Sequence, residues 1–119
     1  MSYQVQNSLS PHHDGSDLYV SNSAPMIGDN VTLKVRIPSG YLFERVMVRM
    51  YHDGEPRIFE LKKAKSDQYE SWYQVSVKIL NLQNYYRFVF IGNGKYEWLN
   101  ARGVFDHDVH SNNDFQLVA

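Results

Sequence analysis

The chain has 119 residues, which is enough for one domain of ordinary size with its own hydrophobic core. Its formal net charge of −1 provides no basic excess to attract nucleic acid or an anionic membrane, and no apolar run approaches the ~18 residues that span a bilayer. Cysteine is absent, which excludes disulfides and thiolate chemistry and fits a reducing compartment. We therefore expect a cytoplasmic protein whose partners include neither nucleic acid nor membrane.

The N-terminal segment is polar. Residues 1–16 are expected to form a flexible lead-in to a domain at residues 17–119, and residues 1–11 lack the apolar centre of a signal peptide. His12 and His13 stand next to each other in this segment. We interpret them as part of a mobile stretch rather than as a pair of metal ligands.

Between residues 31 and 79, apolar and polar residues alternate in short segments that are bounded by turn residues. Such alternation is typical of β-strands with one buried face, because successive side chains point to opposite sides of a strand. The apolar positions predicted to face inward are Val31, Leu33, Val35, Ile37, Val46, Val48, Met50, Phe59, Leu61, Tyr73, Val75, Val77 and Ile79.

The C-terminal third predicts a hairpin and a final strand. Residues 85–91 are apolar on both faces, as expected of a central strand, and a Gly92-Asn93-Gly94 turn joins them to a second aromatic run at residues 95–100. A polar loop then leads to an apolar strand at residues 114–119. Seven to eight short strands, separated by turns and without a convincing helical period, predict an all-β, antiparallel β-sandwich.

Several short motifs follow one another in a characteristic order. They are a strand and charged hairpin at residues 45–56, Trp72-Tyr73, Tyr86-Arg87-Phe88, residues 96–103 and Asp114-Phe115. Together they resemble the N-terminal immunoglobulin-like domain of α-amylase-family enzymes, over residues 17–119. The subgroup resembled contains neopullulanases, cyclomaltodextrinases, maltogenic amylases and maltodextrin glucosidases, whose N-terminal domain is also classed as an α-glucan-binding module.

The resemblance implies an immunoglobulin-like β-sandwich that precedes a (β/α)8 catalytic barrel. It places the catalytic carboxyl groups in that barrel, downstream of this chain, so we expect no catalytic residue here. In the family, the domain packs against its own barrel and against a partner subunit of a homodimer. It thereby shapes a binding site for α-1,4-glucan oligosaccharides such as maltodextrins and cyclodextrins.

The alternative is an autonomous starch- or glycogen-binding module, in which exposed aromatic rings lie against the apolar faces of glucose units. Trp72 is the foremost candidate for either kind of contact, since it faces outward if Tyr73 faces the core. The further candidates are Tyr51, Arg49, Trp98 and Tyr96. The same rings could instead fill the sandwich or cap its edge, which is the preferred interpretation for Trp98.

Residues 105–114 are rich in oxygen and imidazole donors. Calcium requires six to eight oxygen ligands and zinc requires three or four converging ligands, and the loop has the ligand types without a recognised spacing. A solvated loop is the preferred interpretation, and we expect neither a metal nor a cofactor, although calcium is the ion that such oxygen donors would suit.

Overall fold

A computed structural model describes residues 10–92, 94–106 and 114–119. Within these ranges the chain forms nine β-strands and no helix, so no described segment is a helix that could cross a membrane. The strands are β1 (Asn30–Pro38), β2 (Arg45–His52), β3 (Glu55–Glu60), β4 (Lys62–Ser66), β5 (Glu70–Lys78), β6 (Gln83–Gly92), β7 (Lys95–Asn100), β8 (Gly103–Phe105) and β9 (Phe115–Val118).

The strands form two antiparallel sheets. One has three strands in the order β1-β5-β4, and the other has six, in the order β3-β2-β6-β7-β8 with β9 also paired to β6. Residues 12 and 19–21 add backbone hydrogen bonds to the free edge of β1. The predicted all-β, immunoglobulin-like sandwich is confirmed.

The strand count differs from the prediction of seven to eight at two places. The run around residues 57–63 is divided at Leu61, because β3 pairs with β2 in one sheet whereas β4 pairs with β5 in the other. Leu61 is buried where the chain changes sheets, and its N–H donates to the Val46 carbonyl at 2.9 Å. The second addition is β8, a three-residue strand within the polar loop expected after Asn100.

The core lies between the sheets and follows the predicted alternation. Buried inward-facing residues include Val31, Leu33, Val35, Ile37, Val46, Val48, Met50, Leu61, Val77, Ile79, Tyr86, Phe88, Phe90, Leu99, Phe115 and Leu117. Phe59, Tyr73 and Val75 pack against this core but are only partly buried. For Phe59 the reason is its place on β3, which is an edge strand of the six-stranded sheet.

The expectation of a loose lead-in is wrong for residues 11–13, while residues 1–9 lie outside the described part. Pro11 and His13 are buried, and the His13 ring contacts the rings of Tyr86, Phe88 and Phe115. Its Nδ1 donates to the Lys34 carbonyl at 2.6 Å, and its Nε2 accepts from the Tyr86 hydroxyl at 2.7 Å. The segment was misinterpreted because histidine counts as polar, whereas a neutral imidazole with both nitrogens paired packs as an aromatic ring.

Gly92, at the end of β6, lies against the backbone that enters β2. A Cβ at Gly92 would lie 3.0 Å from the Phe43 Cα and 3.0 Å from the Glu44 nitrogen, whose N–H donates to the Ile91 carbonyl. Gly92→Ala is therefore expected to lower the free energy of unfolding by about 1–3 kcal/mol, measured by urea denaturation. Gly40→Ala is the matched control, because its Cβ would meet nothing within 4 Å. Equal midpoints for the two variants would refute this close approach.

Candidate functional site

Four of the five predicted contact residues share one surface, the outward side of the six-stranded sheet. Successive side chains of a strand point to opposite sides of the sheet. Val48, Met50 and Leu99 point into the core, so their neighbours along β2 and β7 point outward. Cross-strand pairing brings β2, β3, β6 and β7 together. We name this surface the aromatic face and define it by Met47, Arg49, Tyr51, Ile58, Val89, Tyr96 and Trp98.

Arg49 is the centre of the aromatic face. Its guanidinium carbon lies 4.8 Å from the centroid of the Trp98 ring and 5.5 Å from that of Tyr51. Both distances are within the range of cation–π attraction. Trp98 is half-buried on the outward side of β7 beside Arg49 and is not among the residues packed into the core. Whether it caps an edge or makes a contact stays a prediction.

A buried ion pair lies directly beside Arg49. Arg87 on β6 is the cross-strand partner of Arg49, is fully buried, and forms a short hydrogen-bonded ion pair with the buried carboxylate of Asp114. Two like charges opposite each other would destabilise a sheet. Here Asp114 neutralises Arg87, and the rings of Tyr51 and Trp98 accommodate Arg49, so the two cations occupy different environments.

Arg87 and Asp114 were not predicted as site residues. Both appeared only as parts of the motifs that carry the family resemblance. The available signal was an arginine placed between Tyr86 and Phe88 in a strand that is apolar on both faces. A cation in such a strand requires a buried acidic partner, and Asp114 precedes the final strand.

The aromatic face contrasts with the outward side of the three-stranded sheet. A sheet that faces water usually shows polar residues on its outer side. The three-stranded sheet does so, with Thr32, Lys34, Arg36, Gln74, Ser76 and Lys78 facing outward. On the aromatic face, Ile58 and Tyr96 are each 57% exposed, and the Arg45–Glu60 ion pair at its margin is polar. Exposed apolar side chains around an arginine that lies against aromatic rings, with a polar margin, are typical of an interaction surface.

Trp72 lies on the opposite side of the sandwich. It faces outward from β5, as predicted, but the structure does not bring it together with the other four candidates. Its half-buried ring stacks on Tyr19 with centroids 5.4 Å apart, and its Nε1–H donates to Glu70 at 2.8 Å. The Lys65 ammonium lies 5.5 Å from the ring centroid. A contact role for Trp72 remains a prediction.

Glycoside hydrolysis requires two carboxyl groups that face each other across a cleft of sugar size. Asp67 and Glu70 share a cavity of about 120 Å³. Asp67 accepts backbone hydrogen bonds from Tyr69 and Glu70, while the Glu70 carboxylate contacts Trp72 Nε1 and, at 3.7 Å, Arg36. These two carboxylates therefore fix a turn and an ion pair.

Among the residues that the structure describes, no group of three or more His, Asp or Glu side chains is placed to hold a metal ion. Most of the donor-rich loop at residues 105–114 lies outside the described ranges, since residues 107–113 are not described. The interpretation of that loop therefore stays a prediction.

No family model and no curated protein sequence matches the chain. Among solved structures, a cyclomaltodextrinase matches 92% of this chain with a TM-score of 0.76 and 12% sequence identity. A maltogenic amylase from S. marinus matches 92% with a TM-score of 0.66 and 15% identity. The predicted resemblance in fold is confirmed. The matched part is the N-terminal domain of those proteins, and the chain covers 19% and 14% of their respective lengths.

Proposed function

We propose that the chain is a non-catalytic N-terminal domain of an α-glucan-acting glycoside hydrolase. In this proposal the aromatic face packs against the catalytic barrel and a partner subunit of a cytoplasmic homodimer, where it shapes the site for maltodextrins and cyclodextrins. The observation that carries the proposal is the apolar, aromatic outer side of one sheet in a sandwich whose other sheet is polar outside. The fold shared with a cyclomaltodextrinase and a maltogenic amylase supports it.

The composition of the aromatic face suits a protein interface. Tryptophan, tyrosine and arginine dominate the energetically important positions of interfaces, and here Trp98, Tyr51, Tyr96 and Arg49 lie together. The two rings next to Arg49 restrict its guanidinium before any partner arrives. Less side-chain entropy is then lost on docking, so more of the interaction free energy contributes to affinity.

The alternative, a sugar-binding module that acts alone, is less well supported by the same geometry. A glucose unit stacked on Trp98 would have to displace the Arg49 guanidinium, which already lies 4.8 Å from that ring. Tyr96 and Tyr85 are exposed, but Tyr96 pairs with Ile91 and so lies six residues along β6 from Tyr85, about 20 Å in an extended strand. The two rings therefore do not form one continuous platform for a glucan chain. We therefore place the sugar mainly in the site that this domain shapes.

The proposal predicts that Ile58→Ser combined with Tyr96→Ser weakens docking in the full-length enzyme. The two side chains are exposed on this domain but would be buried at the interface, so the ratio of kcat/KM for β-cyclodextrin to that for starch should fall by about tenfold. Leu42→Ser is the matched control, because Leu42 is exposed on a loop outside the aromatic face. An unchanged ratio in the double variant would exclude docking through this face.

The sugar-binding alternative is tested on the isolated chain. Maltoheptaose is added up to tens of millimolar while tryptophan fluorescence and amide chemical shifts are recorded. The docking proposal predicts no saturable change over this range. Saturable millimolar binding that Tyr96→Ser abolishes would instead support the autonomous module.

A further inference from the structure

The outward side of the three-stranded sheet is strongly cationic. We name it the cationic face and define it by Lys34, Arg36, Lys62, Lys65 and Lys78 around Trp72. Glu70 is the carboxylate next to Trp72 on this face, and it is engaged by Arg36 and by Trp72 Nε1. Within the described ranges, neither Lys34 nor Lys65 forms an ion pair with a carboxylate.

A cavity of about 230 Å³ lies beside Trp72 on this face. Its lining combines an aromatic ring, two ammonium groups, an amide and apolar side chains, and it includes no carboxylate: Leu18, Lys34, Ala64, Lys65, Trp72 and Gln74. Leu18 is 61% exposed, so an apolar surface is open next to the ring. The volume is below the range of typical drug-sized pockets and suits one small ligand unit.

We propose that this cavity binds a hexose phosphate unit, either free or as a phosphate ester on an α-glucan. The choice of glucose as the sugar rests on the proposed function. Because Tyr19 stacks on the Trp72 ring and the Lys65 ammonium lies over it, the sugar would contact Leu18 and the edge of the Trp72 ring rather than stack on its face. Gln74 would hydrogen-bond a hydroxyl. The phosphate would lie between Lys34 and Lys65, whose ammonium groups act as compact point charges for an anion.

Other ligand classes fit this lining less well. A neutral sugar would leave both ammonium groups without a counter-charge, and a bare phosphate would make no use of Trp72 and Leu18. Single-stranded nucleic acid is held by a charged groove together with several rings on which successive bases stack. On the cationic face Trp72 is the aromatic residue among the outward positions of the paired strands.

The test uses the tryptophan itself as the reporter. The chain has two tryptophans, so Trp98→Phe leaves Trp72 as the single fluorophore. We expect glucose 6-phosphate to cause a saturable change with a millimolar Kd that weakens as salt is added, and glucose to bind at least about tenfold more weakly. Lys34→Gln with Lys65→Gln should reduce the affinity by about tenfold, whereas Lys95→Gln, an exposed lysine on the other sheet, should not.

Each further outcome decides the matter. Equal affinity for glucose, or for inorganic phosphate alone, would overturn the proposal, as would tighter binding of a short single-stranded RNA. Phosphorylated maltodextrin that binds more tightly than glucose 6-phosphate would assign the polymer as the ligand, and equal affinities would assign the free sugar phosphate. If glucose 6-phosphate does not bind, but the Ile58 and Tyr96 substitutions lower the ratio of kcat/KM as predicted, the cavity beside Trp72 is rejected as a binding site and the proposed docking function stands.

Discussion

Asp114→Asn is expected to lower the free energy of unfolding by about 3–5 kcal/mol, because it removes the negative charge of a carboxylate that is buried in an ion pair with the Arg87 guanidinium. The side chains of Arg87 and Asp114 are 0% and 1% exposed, so water cannot solvate the remaining cation. The substitution preserves the shape of the carboxylate, which separates the loss of charge from the loss of packing. Urea denaturation, followed by circular dichroism, measures the effect.

Two further variants show whether the charge itself is responsible. Arg87→Met combined with Asp114→Asn removes both charges, and we expect this double variant to be more stable than Asp114→Asn alone. Glu60→Gln breaks the exposed Arg45–Glu60 pair and should leave the midpoint almost unchanged, because solvent screens that pair. If Asp114→Asn behaved like Glu60→Gln, the buried pair would not be a stabilising element of this fold.

The ion pair also connects stability to the proposed function. Arg87 lies under the aromatic face and is the cross-strand partner of Arg49. Loss of the Asp114 charge would strengthen the repulsion between Arg87 and the neighbouring Arg49 guanidinium, which lies beside the Trp98 and Tyr51 rings. We therefore expect Asp114→Asn to weaken docking by disordering Arg49, even at temperatures where the domain stays folded.

The alternation of apolar and polar residues was sufficient to predict the sheet core. Strands β1, β2 and β5 turn the predicted sides toward the core. When every second residue of a strand is apolar, only that set of residues can face the core. The same pattern could not reveal the division at Leu61, because alternation continues unchanged when a chain passes from one sheet to the other. The passage from one sheet to the other depends on which strand pairs with β3 and which with β4, and this pairing is a property of the tertiary structure.

The candidate residues were predicted individually but not as a group. Arg49 and Tyr51 share a strand, so their common side follows from sequence alone. Their proximity to Trp98 depends on β6 lying between β2 and β7 in a particular register, which no local pattern encodes. Trp72 is on the other surface for the same kind of reason, because β5 pairs with β1 and β4.

The two outer surfaces of the sandwich are suited to different partners. The aromatic face offers apolar area and a restricted arginine, which favour a protein surface that excludes water. The cationic face offers two lysines without carboxylate partners beside a ring, which favour a small anion with an apolar side. Because the core separates the two faces, both partners could bind at the same time.

Acidification is expected to destabilise the domain through His13. Burial lowers the pKa of His13 from 6.5 to about 4, since the protonated ring would lose its hydration inside the core. The unfolded chain therefore takes up a proton at a pH where the folded chain does not. The stabilisation is complete above about pH 6.5 and is lost as the pH falls toward 4, for a total of about 3 kcal/mol.

The hydrogen bonds around His13 explain why only the neutral ring fits. The Lys34 carbonyl can only accept, so Nδ1 carries the proton, and Nε2 must accept from the Tyr86 hydroxyl. Burial raises the pKa of Tyr86, so that hydroxyl keeps its proton and remains a donor. Protonation of Nε2 would place two donors against each other unless the tyrosine hydroxyl rotated away.

The measurement is a series of urea denaturations between pH 7 and pH 5, a window in which the His13 contribution should change by about 2 kcal/mol. His13→Gln keeps a donor and an acceptor but cannot titrate, so this part of the pH dependence should disappear. His52→Gln is the control, because the His52 ring is partly exposed and pairs with the solvent-exposed Asp53. A neutral His13 in the core requires the free energy of unfolding to fall more steeply with decreasing pH in the parent chain than in His13→Gln. Equal losses of stability in the two proteins would therefore refute this role of His13.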